Sequence, residues 1–192
     1  MAESARFALA RMSGLRVLIV PGFGGSGPDH WQTLWEGRYG YERVAQDDWD
    51  HPEPDAWVGA LDRAVRRTDD PVALVAHSLG CALLSRWAPL APANRVVGAL
   101  AVAPADVDSE MHTPPEVRCF SPMPLDPLPF PTIVVASRTD PYLRFARAEL
   151  IAERWGAELV DIGRKGHINA DSDVRDWPEG HLLLEQLLGK RA

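Results

Sequence analysis

Cysteine is scarce in this sequence: Cys81 and Cys119 are the only two among 192 residues. Two thiols cannot build a disulfide framework, and neither belongs to a C-x-x-C pair or a Cys/His cluster of the kind that holds zinc. The expectation is a reducing, cytoplasmic compartment, with no metal and no organic cofactor. Long apolar runs are missing too. Val17–Val20 and Ile133–Ala136 are typical of those present, and they are far too short to cross a bilayer. Positive charge is in deficit, with 20 Lys and Arg against 27 Asp and Glu for a net charge of −7. The basic footprint that a nucleic-acid binder uses against phosphates is therefore absent. Arg6 and Arg11 lie near the start, but the apolar stretch and small-residue cleavage site of a signal peptide do not follow them. Met12 stands just ahead of the first strand-like run. Residues 1–13 are thus expected to form a flexible extension without function, with either Met1 or Met12 as the start.

What is present has the balance of a globular protein, 46% hydrophobic and 24% charged. The length suits a single domain over residues 1–192 with a full core. Strand-length apolar runs recur at Leu15–Val20, Tyr41–Val44, Val72–Ala76, Val96–Val102, Thr132–Ala136 and Glu158–Ile162. Several lack alternation, as strands do when both faces of a parallel sheet are covered. Amphipathic stretches separate them: around Trp31, Leu34 and Trp35; from Pro54 through Trp57, Leu61, Ala64 and Val65; over Leu79–Trp87 and Leu143–Trp155; and around Leu182–Leu188. The alternation predicts an α/β fold, a six-stranded mainly parallel sheet with helices on both faces. One segment breaks the rhythm. Seven prolines lie between Pro114 and Pro131, too many for sheet or helix, so a long loop is expected there that either walls a site or only connects.

Two motifs compete for the chemistry. After the first strand, Gly22, Gly24 and Gly27 fit G-x-G-x-x-G, and Asp47 and Asp48 follow at the distance of a ribose-binding carboxylate. The same glycines also suit any tight turn that needs positive φ or close backbone approach. The third strand runs into Ala76-His77-Ser78-Leu79-Gly80 and straight on into a helix. This is the nucleophile-elbow pattern with alanine at its first position, where small residues on either side of a strained Ser let strand and helix approach. A Ser nucleophile needs a base, and the base needs an orienting acid. Asp140 follows the fifth strand and His167 the sixth, in the chain order Ser, Asp, His and at the strand ends where open α/β sheets bind ligands. With the elbow in place, the glycine loop gains a second use. The N–H groups of Phe23 and Leu79 are positioned to form an oxyanion hole.

Other readings of these residues stand beside this one. Ser78 also suits a helix N-cap, and Asp140 a turn before Pro141. Asp161, Asp171 and Asp173 are rival acids. Among the histidines, His77 belongs to the elbow and is expected to point away from the reacting side. His51, His112 and His181 lie outside the final loop. His30 fits either a pocket-lining or a helix-opening role. Trp49 fits either the core or the border of a substrate pocket, and Cys81 reads as a small buried hydrophobe.

Several segments together resemble the small serine hydrolases of the retinoblastoma-binding protein 9 and YdeN-like family, within the α/β-hydrolase superfamily. They are Pro21-Gly22 with Gly24-Gly25-Ser26, His30-Trp31-Gln32 with Trp35, and Asp48-Trp49 with Pro52 and Trp57. Val75–Cys81, Ser137–Pro141, Gly166–Asn169 and Trp177 continue the likeness, which covers nearly the whole chain from Leu15. The resemblance implies a three-layer α/β-hydrolase sandwich in strand order 2-1-3-4-5-6, with no separate lid domain. It also implies a triad of Ser78, Asp140 and His167 and a carboxylesterase-like or peptidase-like activity on a small ester or amide. No Leu-x-Cys-x-Glu segment supports binding of the retinoblastoma protein. The expectation is thus a serine hydrolase with a small-molecule substrate and no nucleic-acid or membrane partner. The alternatives are a protein-binding module on a hydrolase fold and a dinucleotide-binding protein.

Overall fold

Four of the apolar runs form strands buried along their whole length: β1 (Arg16–Val20), β3 (Val72–His77), β4 (Val96–Val102) and β5 (Thr132–Ala136). The computed structural model that shows them describes residues 14–189; the expectation for residues 1–13 lies outside that range. β2 (Glu42–Arg43) and β6 (Glu158–Asp161) complete one six-stranded sheet in the order β2-β1-β3-β4-β5-β6, every pair parallel. The unalternating apolar runs are therefore the interior strands, and the two mixed runs are the edges. β2 is shorter than its sequence suggests. Beyond Arg43 only one further bond, Val44 N–H to the Ile19 carbonyl at 2.8 Å, continues the ladder.

Helices cover both faces. α2 (Pro54–Arg66), α3 (Leu79–Trp87) and α4 (Phe145–Trp155) pack on one side, burying Trp57, Leu61, Leu83, Ile151 and Trp155 against Leu18, Leu74 and Val134. α1 (Trp31–Tyr39) and α5 (Pro178–Gly189) pack on the other, with Trp31, Trp35 and Leu184 against Ile19, Val75 and Leu100. The sheet and α3 approach closely where β1 ends and α3 begins. A side chain at Gly80 would stand 2.3 Å from the Val20 carbonyl oxygen and 2.8 Å from that of Pro21. Only glycine permits this approach.

The proline-rich segment is ordered by side chains instead of a ladder. It contains one 3-10 turn, Pro115–Phe120, and buries Val117, Phe120, Met123 and Phe130. Asp108 anchors it, accepting from the Ser121 hydroxyl at 2.8 Å and the Met123 N–H at 3.0 Å, while Arg147 pairs with Asp108 at 2.6 Å. α4 starts two residues later than Leu143 because the preceding turn is closed by Asp140, whose Oδ1 accepts the Tyr142 N–H at 2.8 Å. Among the described residues, no helix is long and apolar enough to cross a membrane.

Candidate active site

Ser78 occupies the turn between β3 and α3 with φ 56° and ψ −121°, a strained conformation for a residue with a side chain. It stands at the N-cap, yet its hydroxyl makes no capping bond. The hydroxyl instead meets His167 Nε2 at 2.8 Å. His167 Nδ1 lies 2.9 Å from both carboxylate oxygens of Asp140. The Asp140 side chain is fully buried and that of His167 is 8% exposed. A carboxylate can only accept, so Nδ1 carries the imidazole proton and Nε2 is left to accept from Ser78. Rival acids are placed elsewhere. Asp161 is bound by Arg138 and the Gly163 N–H, and Asp173 is an exposed partner of Arg175.

The loops bearing Asp140 and His167 are tied to each other and to the sheet. Ser137 Oγ accepts the Lys165 N–H at 2.8 Å, and Thr139 Oγ1 accepts the Gly166 N–H at 3.1 Å. Two further donors fix the backbone around His167. His77 Nε2–H reaches the His167 carbonyl at 2.9 Å, and the Trp31 indole N–H reaches the Ile168 carbonyl at 2.7 Å. His77 therefore does not point away from the site. Residues 73, 75 and 77 of β3 share the face toward α1, where the loop after β6 closes, and the His77 ring lies 4.9 Å from that of His167. Tyr142 presents its ring edge-on to His167 from the other direction, at 4.6 Å.

The glycine loop packs on the elbow. A Cβ at Gly22 would come within 2.9 Å of the His77 carbonyl oxygen, the Leu79 nitrogen and Ser78 Cβ. Phe23 opens a short 3-10 turn directly after this contact, and Leu79 is the first residue of α3. Its N–H belongs to a first turn that has no intrahelical acceptor. The loop does not run straight into a helix as a dinucleotide turn does, because α1 begins only at Trp31. The Asp48 carboxylate is engaged in its own turn, accepting the Asp50 and His51 N–H groups at 2.8 and 2.9 Å. Arg43 pins the loop from β2. Its guanidinium donates to the Gly25 and Ser26 carbonyls and to Thr33 Oγ1.

Trp49 does not line the cavity beside Ser78. Its ring stands over Gly25 and meets Trp57 edge-on at 5.6 Å, and its carbonyl accepts the Gly24 N–H at 3.1 Å. His30 does reach the cavity, and also caps α1 through Nδ1, which accepts the Gln32 N–H at 3.1 Å. Cys81 is fully buried behind Ser78, and burial pushes its thiol up. The cavity beside Ser78 has a volume of about 320 Å³ and is walled by Phe23 and Leu79, by Tyr142 and Asn169, and by Thr113, Pro114 and Val117. The first part of the proline-rich loop is thus a wall and not only a connection. Among the described residues, no three His, Cys, Asp or Glu side chains are grouped to hold a metal ion.

Three other imidazoles are held neutral. Burial, aided by His167 and Arg43, lowers His30 to about 3. Burial, with His30 and His167, drives His77 well below its ordinary range. Burial, with Arg38, lowers His181 to about 4. Above the ordinary value of 6.5 these groups are neutral folded or unfolded and contribute nothing to pH dependence. Below it the unfolded chain takes up protons that the folded chain refuses, so stability falls with pH. Each group adds a slope of up to about 1.4 kcal/mol per pH unit. Denaturant titrations should therefore give a lower midpoint at pH 5 than at pH 7. Equal midpoints would mean that the three rings protonate freely in the fold.

Comparison with known proteins agrees with this architecture. The family model described as Serine hydrolase matches residues 17–186. A YdeN-like hydrolase from Pectobacterium atrosepticum is 31% identical, with 96% of this chain and 97% of that one covered and a TM-score of 0.84. The ydeN gene product of B. subtilis is 20% identical over 90% of this chain and 97% of that one, at a TM-score of 0.73. A monoacylglycerol lipase from Paleococcus ferrophilus shares the fold at 13% identity, 92% and 95% coverage and a TM-score of 0.68. No curated protein matches the chain significantly. The matched span takes in the elbow, the glycine loop and both loops that meet at Ser78, and the chain belongs to the serine hydrolase family, as a YdeN-like hydrolase enzyme of the α/β-hydrolase superfamily.

Proposed function

We propose that this hydrolase cleaves a small carboxylic ester, or an amide, through an acyl-enzyme on Ser78. The observation that carries the reading is the unbroken hydrogen-bonded series from Ser78 Oγ through His167 to Asp140, opening on a cavity. Ser78 Oγ attacks the carbonyl carbon while its proton passes to His167 Nε2. Asp140 holds Nδ1–H and stabilises the imidazolium that forms. Charge gathers on the former carbonyl oxygen, where the N–H groups of Phe23 and Leu79 receive it. Gly22 supports this assignment, because its lack of a side chain lets the two N–H groups approach. The tetrahedral species collapses by breaking the bond to the leaving oxygen, which takes the proton from Nε2. Water then repeats the sequence on the acyl-enzyme, losing its proton to Nε2 and releasing the acid as Ser78 Oγ regains one.

A fluorophosphonate is the direct test, since it phosphonylates only an activated serine. Mass spectrometry of the labelled chain should locate one adduct, on the peptide containing Ser78. A folded protein that takes no label would exclude the acyl-enzyme mechanism and favour a binding role for the fold.

A further inference from the structure

The loop that carries Phe23 has a backbone that needs outside support. Gly24, Gly25 and Ser26 follow one another with φ of 74°, 74° and 53°, and for Ser26 that left-handed conformation is unfavourable. The Gly25 N–H closes a turn on the Gly22 carbonyl at 3.1 Å, with Phe23 inside it, and the Gly24 N–H reaches the Trp49 carbonyl. The carbonyls of Gly25 and Ser26 are held by side chains. Arg43 Nη1 donates to the Gly25 carbonyl, and Nη1 and Nη2 lie 3.3 and 3.4 Å from that of Ser26, which Thr33 Oγ1 also reaches at 2.7 Å.

Arg43 is itself fixed from two directions. It is one of the two residues of β2, in register with Ile19 of β1. Its Nε donates to Glu36 Oε2 of α1 at 3.1 Å, with Nη2 2.8 Å from Glu36 Oε1, and Nη2 donates to Thr33 Oγ1 at 2.6 Å. Glu36 balances the charge, so what reaches the loop is a rigid fork of donors and not a net field. The turn around Phe23 is thereby set at both ends. Gly22 lies against the elbow, where a Cβ would stand 2.9 Å from Ser78 Cβ, and Gly25 is held by Arg43.

We infer that Arg43 is a positioning residue for the oxyanion hole: by holding the Gly25 and Ser26 carbonyls, it sets the turn that places the Phe23 N–H beside Ser78. The inference rests on the proposed Ser78 mechanism and adds the group that aims one of its two donors. Misplacing such a donor by about 1 Å costs roughly a hundredfold in rate. The oxyanion exists only in the transition states, of acylation and deacylation alike, so the loss falls on kcat and spares KM.

Two variants test this. Arg43→Met keeps the apolar stem and deletes the fork, whereas Arg43→Lys keeps the charge beside Glu36 but offers a single nitrogen. Each is labelled to completion with a fluorophosphonate, so that rates are counted per reactive Ser78. Both are then assayed with p-nitrophenyl butyrate and with butylboronic acid. Boron bonds to Ser78 Oγ, whose proton passes to His167, and a boron hydroxyl takes the place of the oxyanion. In Arg43→Met, kcat per labelled site should fall roughly a hundredfold with KM within about threefold, and boronate affinity should weaken with kcat. Arg43→Lys should lose less, roughly tenfold, by the same pattern. A kcat per labelled site within about threefold of wild type in both variants overturns the inference, even at a lower melting temperature, because a residue that only stabilises the fold behaves that way. A raised KM at unchanged kcat overturns it as well. If Arg43→Met does not fold, Arg43→Lys decides by the same criteria. Absence of label on wild type defeats instead the mechanism beneath.

Discussion

Replacing Ser78 with alanine should lower ester turnover on the order of 10⁴-fold or more. Nothing in the fold depends on the hydroxyl. It caps no helix, and its recorded side-chain partner is His167. The Ser78→Ala protein should therefore keep the wild-type melting temperature while losing the acyl-enzyme route. What remains is the advantage of binding a carbonyl between Phe23 and Leu79 with water as the nucleophile. Steady-state hydrolysis of p-nitrophenyl butyrate by both proteins is the measurement. Activity within tenfold of wild type would remove Ser78 from the role. His167→Ala should cost about as much, and the double variant little more, because a nucleophile and its base act as one unit.

Asp140→Asn should reduce kcat about 10⁴-fold with a much smaller change in KM. The substitution keeps shape and volume, but a carboxamide can donate to Nδ1 where a carboxylate can only accept. His167 then moves its proton to Nε2 and loses the lone pair that takes the Ser78 proton. The imidazolium of the transition state also loses its counter-charge in a place where Asp140 is fully buried. The expected protein is folded, binds ester normally and turns it over slowly. A loss below tenfold would show that orientation alone suffices, and the bonds from His77 and Trp31 to the His167 loop would then be its source.

The sheet was legible because its interior strands have little choice. Val72–Ala76 and Val96–Val102 are apolar at every position except Gly98, which suits only a strand covered on both faces. The edges were less legible. Tyr41 and Val44 looked like strand residues, but Tyr41 turns its hydroxyl to His181 at 2.8 Å and leaves the ladder to Glu42 and Arg43. Ser78, Asp140 and His167 stood out as candidates because each lies in the segment that follows a strand, in the expected chain order, a one-dimensional signal. Arg43 could not. Its importance lies in reaching carbonyls 17 and 18 residues away, and no spacing rule separates it from the chain's other arginines. The two readings of Trp49 could not be separated for the same reason. An aromatic in a loop beside a site faces substrate or loop according to its neighbours, and Gly25 supplied the space beneath it.

The sheet order carries a consequence for biosynthesis. Ser78 follows the central strand β3, which lies between β1 and β4, whereas His167 follows β6 at the far edge. The two are 89 positions apart, and His167 and Asp140 are 27 apart. A growing chain can pair β1 through β4 before the segments that bear Asp140 and His167 are made. Docking of the half-exposed β6 edge then brings the His167 loop to Ser78. Long-range parallel pairing of this kind is slow, so the Ser78–His167 contact is expected to form late in folding, with only α5 and its part of the core still to follow in the chain.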